Sequence, residues 1–191
     1  QVKSLLKYIK AAKNPRNGRV RDLKSIKPLP DINKHGKMEE VLKSNQEVLV
    51  QVVKEPISTK GPRLSSEISL PGQYVVLVPF SKTISVSKKL RSVDERRRLK
   101  VLAESLRPHN FGIIVRTAAE GKDAATLSSD ISDILNKWGD MTERLHRSKA
   151  PSKVLSEHNR ATSILRDMLS QGFETIQTDD QASFKDIEAY L

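Results

Sequence analysis

The chain has 191 residues, which suits one ordinary domain or two small ones. It carries 34 Lys and Arg against 23 Asp and Glu, a formal net charge of +11, which favours an acidic partner such as nucleic acid. A solvated basic surface without a specific partner is an equal alternative. The absence of cysteine excludes disulfides and thiolate zinc sites and fits a reducing cytoplasm, and no apolar run approaches the ~18 residues of a membrane span. Because Gln1-Val2-Lys3 shows neither a start methionine nor a signal-peptide pattern, we expect a piece of a longer protein.

The first third of the chain is basic and rich in turns. Residues 2–13 hold four apolar residues at helical spacing, namely Val2, Leu5, Leu6 and Ile9. They predict a basic amphipathic helix, which either buries one stripe in the protein or lies on RNA or a membrane. Residues 14–37 predict an extended basic loop, in which Asp31-Ile32-Asn33 indicates a turn. A short helix is predicted from Met38 to Ser44, and a strand over 47–53.

The middle of the chain alternates predicted strands and helices. Strands are expected around 67–70 and at 73–78, separated by Pro71-Gly72, and a short one at 84–86. Ser92 and Glu95 match a capping box for a helix that ends near Leu106. Residues 111–115 predict the next strand.

The longest amphipathic helix starts after Asp123, and its apolar residues recur at steps of three and four: Leu127, Ile131, Ile134, Leu135, Trp138, Met141 and Leu145. Residues 148–152 indicate a boundary. Beyond it we predict a helix at about 157–170, a strand at 173–177 and a last helix after Asp180.

The strongest candidate site is the junction at Arg116-Thr117, where strand 111–115 runs into a turn and the long helix. A guanidinium bonds phosphate oxygens bidentately, and the free amides of a helix's first turn favour anions. Gly72 permits close approach of the backbone to a ligand. The alternative at this junction is a surface salt bridge beside a threonine cap.

No other residues form a convincing catalytic or metal site. Asp130 and Asp133 share a helix face and could bind a metal, but that spacing is common on solvated helices, and the four histidines are scattered. Six residues form a basic patch around the start of the helix predicted from Ser92: Lys88, Lys89, Arg91, Arg96, Arg97 and Arg98. We expect most of them to be solvated and one or two of them to steer RNA electrostatically. We therefore predict no catalytic residue and no metal ligand.

Several motifs in order resemble the ribonuclease E/G family. They are LVQVVKEP at 49–56, TKGPRL at 59–64, ISLPG at 68–72, YVVLVP at 74–79 and GIIVRTA at 112–118. The resemblance covers about residues 46–191 and continues weakly through Glu157, Asn159 and 164–167.

The resemblance implies an α+β fold: a partial OB-type barrel, a small mixed α/β subdomain that senses the RNA 5′ end, and part of a ribonuclease-H-like α/β subdomain. Residues 1–45 would be a basic helix and loop inserted in the OB domain. Residues 46–66 would be the second half of the barrel, 67–150 the 5′ sensor and 151–191 the ribonuclease-H-like part.

By the same resemblance, Arg116 and Thr117 would bind the 5′ monophosphate of single-stranded RNA, with backbone help from Gly72 and Val76. Lys60 occupies the position of an RNA-contacting lysine in the family. Lysine and arginine at a barrel rim, here Lys60 and Arg63, can neutralise backbone phosphates. An exposed loop is the alternative for both.

The parent would be a cytoplasmic, magnesium-dependent endoribonuclease of rRNA maturation and mRNA decay, and it could be a homo-oligomer. The family's metal-binding aspartates and zinc-linking cysteines would lie beyond Leu191, so this chain would bind RNA without cleaving it and without a cofactor of its own. The alternative is an OB-type RNA-binding or ribosome-associated module with no 5′-end recognition.

Overall fold

The structure is a computed structural model that describes residues 2–13, 26–29, 36–156, 162, 164, 165, 168 and 174–188. Most of the loop predicted over 14–37, including the Asp31-Ile32-Asn33 turn, and most of the helix predicted at 157–170 lie outside the described residues. The chain divides into two compact units, residues 1–154 and 155–191.

A four-stranded mixed sheet is the centre of the first unit. Its strands are β3 (Leu70–Pro71), β4 (Val75–Pro79), β5 (Ile84–Val86) and β6 (Phe111–Val115), in the order β3-β4-β6-β5. β4 pairs antiparallel with both β3 and β6, whereas β5 runs parallel to β6. β-Branched residues favour β4, β5 and β6, and the alternation of buried and half-buried residues in β4 shows that one face packs on the core.

Two helices cover the sheet. Helix α2 (Val93–Leu106) contacts β5 and β6, and helix α3 (Ala124–Arg147) contacts β3 and β4. Both begin at a capping side chain, since Ser92 Oγ accepts from the Glu95 N–H and the Asp123 carboxylate accepts from the Thr126 N–H. The predicted apolar stripe of α3 is confirmed, because all its members are buried except the half-buried Leu135.

The N-terminal helix belongs to the same core. Helix α1 (Val2–Lys13) packs against α3, with the Tyr8 ring stacked on Trp138 at 5.5 Å between centroids and edge-on to Phe80 at 6.0 Å. The Tyr8 hydroxyl and Thr142 Oγ1 are 2.8 Å apart in a buried hydrogen bond. Of the two interpretations of residues 2–13, the buried stripe is therefore confirmed.

No barrel is present in the described part of the chain. Residues 46–66 contribute only β1 (Gln51–Lys54) and β2 (Arg63–Ser65), which form a separate two-stranded antiparallel sheet. Val52, Val53 and Leu64 on this pair are exposed. Closing a barrel needs a ring of paired strands, and among the described residues β1 and β2 pair only with each other. The predicted partial barrel is thus seen only as an open ribbon.

Two predicted elements differ from the structure because side chains capture backbone amides. The Lys43 N–H donates to the Gln46 side chain, and only a 3₁₀ turn, Met38–Glu40, forms where a helix was expected. The Glu67 N–H donates to Ser65 Oγ, and the Ser69 N–H donates to the Gln51 side chain. The strand predicted at 67–70 therefore begins only at Leu70.

In the second unit, residues 162, 164, 165 and 168 are helical and helix α4 (Gln181–Glu188) follows. The Asp180 carboxylate accepts from the Ser183 N–H at the start of α4, as the predicted start after Asp180 requires. The strand predicted at 173–177 is wrong for 174–177, which have no regular structure and no strand partner in the described chain.

Candidate phosphate-binding site

Three chain segments meet at the carboxyl end of β6. Because Val76 pairs with Ile114, and 114 and 116 point to the same side of an extended chain, Arg116 shares the half-buried sheet face with Val76. The Arg116 N–H extends the β4–β6 pairing by donating to the Tyr74 carbonyl at 2.8 Å. The chain then enters a short 3₁₀ helix, Thr117–Ala119, that precedes α3.

The guanidinium of Arg116 is held on the turn between β3 and β4. Its Nη1 donates to the Gly72 carbonyl oxygen at 2.7 Å, in a half-buried position. The structure therefore brings Gly72, Val76, Arg116 and Thr117 to one end of the sheet.

Thr117 is exposed and contacts the segment that follows β5. Its Oγ1 lies 3.0 Å from Ser87 Oγ, which also accepts from the Lys89 N–H. Lys88 and Lys89 are exposed beside this serine. A hydroxyl pair flanked by two lysines thus adjoins Arg116, which makes this surface suitable for an anion.

Gly72 is required by a side chain that the sequence pattern assigned to solvent. A Cβ built at Gly72 would lie 2.4 Å from Oδ1 and 2.6 Å from Oδ2 of Asp130. Both oxygens accept backbone N–H groups of the turn, from Gln73 to Oδ1 at 2.9 Å and from Tyr74 and Val75 to Oδ2 at 2.8 and 2.9 Å. The Gly72 N–H itself donates to the Val75 carbonyl at 2.8 Å. The space beside Gly72 is thus filled by a carboxylate of α3, and any ligand would approach from another side.

The contact of Asp130 with the turn before β4 is not predicted from the sequence, although the sequence holds a signal for it. Asp130 precedes the buried Ile131 and follows the buried Leu127 by three positions, so it borders the apolar stripe of α3. Asp133, the other member of the pair, is exposed. The interpretation of both as solvated residues is therefore wrong for Asp130.

A second carboxylate holds the loop that follows Thr117. Glu95 accepts two hydrogen bonds from the Arg98 guanidinium, at 2.7 and 2.8 Å, and one from the Gly121 N–H at 2.8 Å. Arg98 Nη2 also donates to the Lys122 carbonyl. The Arg98 hydrogen bonds, followed by that of Gly121, lower the pKa of Glu95 to about 2. Half of the predicted capping box is confirmed, since Ser92 caps the helix, but the Glu95 side chain turns to this loop.

The predicted basic patch separates into structural and exposed members. Arg96 Nη1 donates to the Leu90 carbonyl at 2.6 Å, and Arg98 is bound as described, so both stabilise α2 and its neighbours. The patch members exposed on the segment before α2 are Lys88, Lys89 and Arg91.

Lys60 and Arg63 lie on the other sheet. Lys60 closes a tight turn after β1 through paired backbone hydrogen bonds with Ile57, and Arg63 starts β2 opposite Lys54. Both side chains are exposed. Lys60 and Arg63 thus belong to a different sheet from the residues around Arg116.

The part of the chain that the structure describes holds no group of three or more His, Cys, Asp or Glu residues able to bind a metal ion. None of its helices is both long and apolar enough to cross a membrane.

Comparison with known proteins identifies relatives over most of the chain. The model of the ribonuclease E/G family matches residues 69–191, more than half of the chain. Ribonuclease E of Nostoc sp. is 37% identical over 152 residues, which are 80% of this chain and 22% of that protein. Ribonuclease G of Haemophilus influenzae is 34% identical over 151 residues (79% of this chain and 31% of that protein), and the ribonuclease E/G-like protein of Pyropia yezoensis is 32% identical over 151 residues (79% and 30%).

The chain spans between 22% and 31% of the length of these relatives. The family match at residues 69–191 includes β4, β6 and α3, and each of the three relatives is more than 30% identical to this chain. This protein belongs to the ribonuclease E/G family.

Proposed function

We propose that this chain binds single-stranded RNA and recognises the monophosphate at its 5′ end, as the RNA-recognition part of a magnesium-dependent endoribonuclease. The observation that carries the proposal is the anchoring of Arg116 on the Gly72 carbonyl, next to the exposed hydroxyl of Thr117. A phosphate monoester offers several acceptor oxygens and close to two negative charges at neutral pH. A guanidinium fork and a hydroxyl match both properties.

The surroundings favour the same ligand. Lys88 and Lys89 add positive charge beside Ser87 and Thr117, and the whole chain is basic. An RNA that ends in a 5′ hydroxyl lacks the terminal charge, so it loses the interaction that Arg116 would make. Recognition at this site is therefore expected to discriminate between RNA ends.

Holding one end of the RNA would position the strand for cleavage elsewhere in the enzyme, an effect of proximity and orientation. We place the hydrolysis, and the magnesium ion that would assist it, outside this chain. The described residues offer no cluster of carboxylates suited to a metal, so the contribution of these residues is to bind and orient the RNA. In this proposal the chain alone binds RNA without cutting it.

A second candidate function rests on the ribbon formed by β1 and β2. Lys54, Lys60 and Arg63 are exposed there, and they could neutralise backbone phosphates without any preference for an RNA end. The protein would then be a general RNA-binding module.

Fluorescence anisotropy with matched oligoribonucleotides, which carry either a 5′ phosphate or a 5′ hydroxyl, separates the two functions. We expect the chain to prefer the 5′ phosphate. Arg116→Ala should reduce that preference roughly 10- to 100-fold, the range expected for hydrogen bonds to a charged group. Arg107→Ala is the matched control, because Arg107 is an exposed arginine that precedes β6, whereas Arg116 follows it. Equal affinity for the two RNAs, unchanged by Arg116→Ala, would support the general RNA-binding module.

A further inference from the structure

The turn between β3 and β4 presents three consecutive backbone N–H groups to one side. Those of Gln73, Tyr74 and Val75 donate to the Asp130 carboxylate at 2.8–2.9 Å. Successive N–H groups that converge in this way form an anion-binding concavity. In this chain the anion is part of the protein, so the conformation of the turn is set by a side chain of α3.

Helix α3 is a rigid support for that carboxylate. It runs for 24 residues, and Leu127, Ile131 and Ile134 around Asp130 are buried in the core. The turn that it holds includes Gly72, whose carbonyl accepts the Arg116 guanidinium. A connected series of contacts thus leads from Asp130 through the turn to Arg116, and Asp130 does not need to touch a ligand to affect the site.

From this geometry we infer that Asp130 is a positioning residue, which orients Arg116 through the turn and so sets the preference for a 5′ monophosphate. The inference rests on the proposed function. It also explains Gly72, because every larger residue would collide with the Asp130 carboxylate. Electrostatics alone predicts the opposite effect of Asp130: removing a negative charge near a phosphate should strengthen binding.

Asp130→Asn tests the inference. The amide keeps the shape of the side chain but has one acceptor oxygen, so it cannot accept from all three N–H groups in the present arrangement. Asp133→Asn is the matched control, because it makes the same charge change one helical turn later at an exposed position. The 191-residue chain and the two oligoribonucleotides described above are used, and folding is verified by circular dichroism.

We expect Asp130→Asn to lower the ratio of affinities for 5′-phosphate and 5′-hydroxyl RNA roughly tenfold, the effect of weakening one charge-assisted hydrogen bond. Affinity for the 5′-hydroxyl RNA and the ratio for Asp133→Asn should stay within about twofold of the unmodified chain, as expected for substitutions that touch no ligand. An unchanged or higher ratio in Asp130→Asn would overturn the inference while leaving the proposed function intact. If the unmodified chain showed no preference, the proposed function itself would fail.

A second variant guards against a simple loss of folding. If Asp130→Asn does not fold, Asp130→Ser, whose shorter side chain cannot reach all three N–H groups, should show the same loss of preference. If neither variant folds, the inference is overturned, because the carboxylate would then be a requirement of folding and not of end discrimination.

Discussion

Gly72→Ala should destabilise the protein severely although it adds only one methyl group. The new Cβ would lie 2.4 Å from Oδ1 and 2.6 Å from Oδ2 of Asp130, far inside the roughly 3.5–4.0 Å of an ordinary contact. The carboxylate must move, and its three hydrogen bonds to the turn weaken together. A hydrogen bond to a charged group contributes about 1.5–3 kcal/mol, and these bonds are only half-buried, so we expect a loss of roughly 3–5 kcal/mol.

Urea denaturation followed by circular dichroism measures this loss. Gly61→Ala is the control, since a Cβ at Gly61 meets no atom within 4 Å and should change stability by less than about 0.5 kcal/mol. Asp130→Ala removes the obstacle, so the double variant should be no less stable than Asp130→Ala alone. The coupling energy between the two sites would then equal the whole cost of Gly72→Ala, about 3–5 kcal/mol. Additive costs, or a Gly72→Ala variant as stable as Gly61→Ala, would refute the reasoning.

Three further predictions concern other parts of the first unit. Tyr8→Phe removes the hydroxyl that is hydrogen-bonded to Thr142 and keeps the ring. The free energy of unfolding, measured by urea titration, should therefore fall by about 1 kcal/mol. An unchanged urea midpoint would show that this hydrogen bond makes no net contribution to stability. Because the pKa of Glu95 is lowered from 4.5 to about 2, its stabilisation is complete above pH 4.5 and is lost as pH falls through 2. The difference in Tm between the unmodified chain and Glu95→Gln should therefore shrink from about pH 6 to about pH 2, and a constant difference would contradict this. Gly139→Ala, in the middle of α3 and facing open space, should raise stability by about 0.5–1 kcal/mol, and thermal denaturation that shows a loss would count against that helix geometry.

Elements with a strong local apolar pattern were predictable from the sequence. The strand at 111–115 has the predicted bounds, and α3 buries the predicted stripe. In both elements the apolar pattern spans the whole segment, so the buried residues can be predicted from the local sequence alone.

Elements that depend on distant partners were not predictable. Gln51 accepts from the Ser69 N–H, 18 residues away, and because of this contact the strand expected from 67 begins only at Leu70. The barrel expected from the motifs at 49–64 requires pairing with further strands, which local propensity does not specify.

The candidate site likewise contains residues that could be predicted from the sequence and one that could not. Arg116-Thr117 could be found because a strand, an arginine and a helix follow one another directly. Asp130 could not be assigned, since its three hydrogen bonds join residues 55–57 positions apart. An acidic residue between two buried positions of a helix indicates a partner in the fold but does not identify that partner.

The packing of α1 has a consequence for how the protein is divided. The match to the family model begins at residue 69, yet Tyr8 covers Trp138 and Phe80, which lie well inside the matched part. Leu5, Ile9 and Ala12 join the same core. A protein cut at residue 69 would expose these rings to water, so a chain that keeps this core must include the helix α1, far upstream of the matched part.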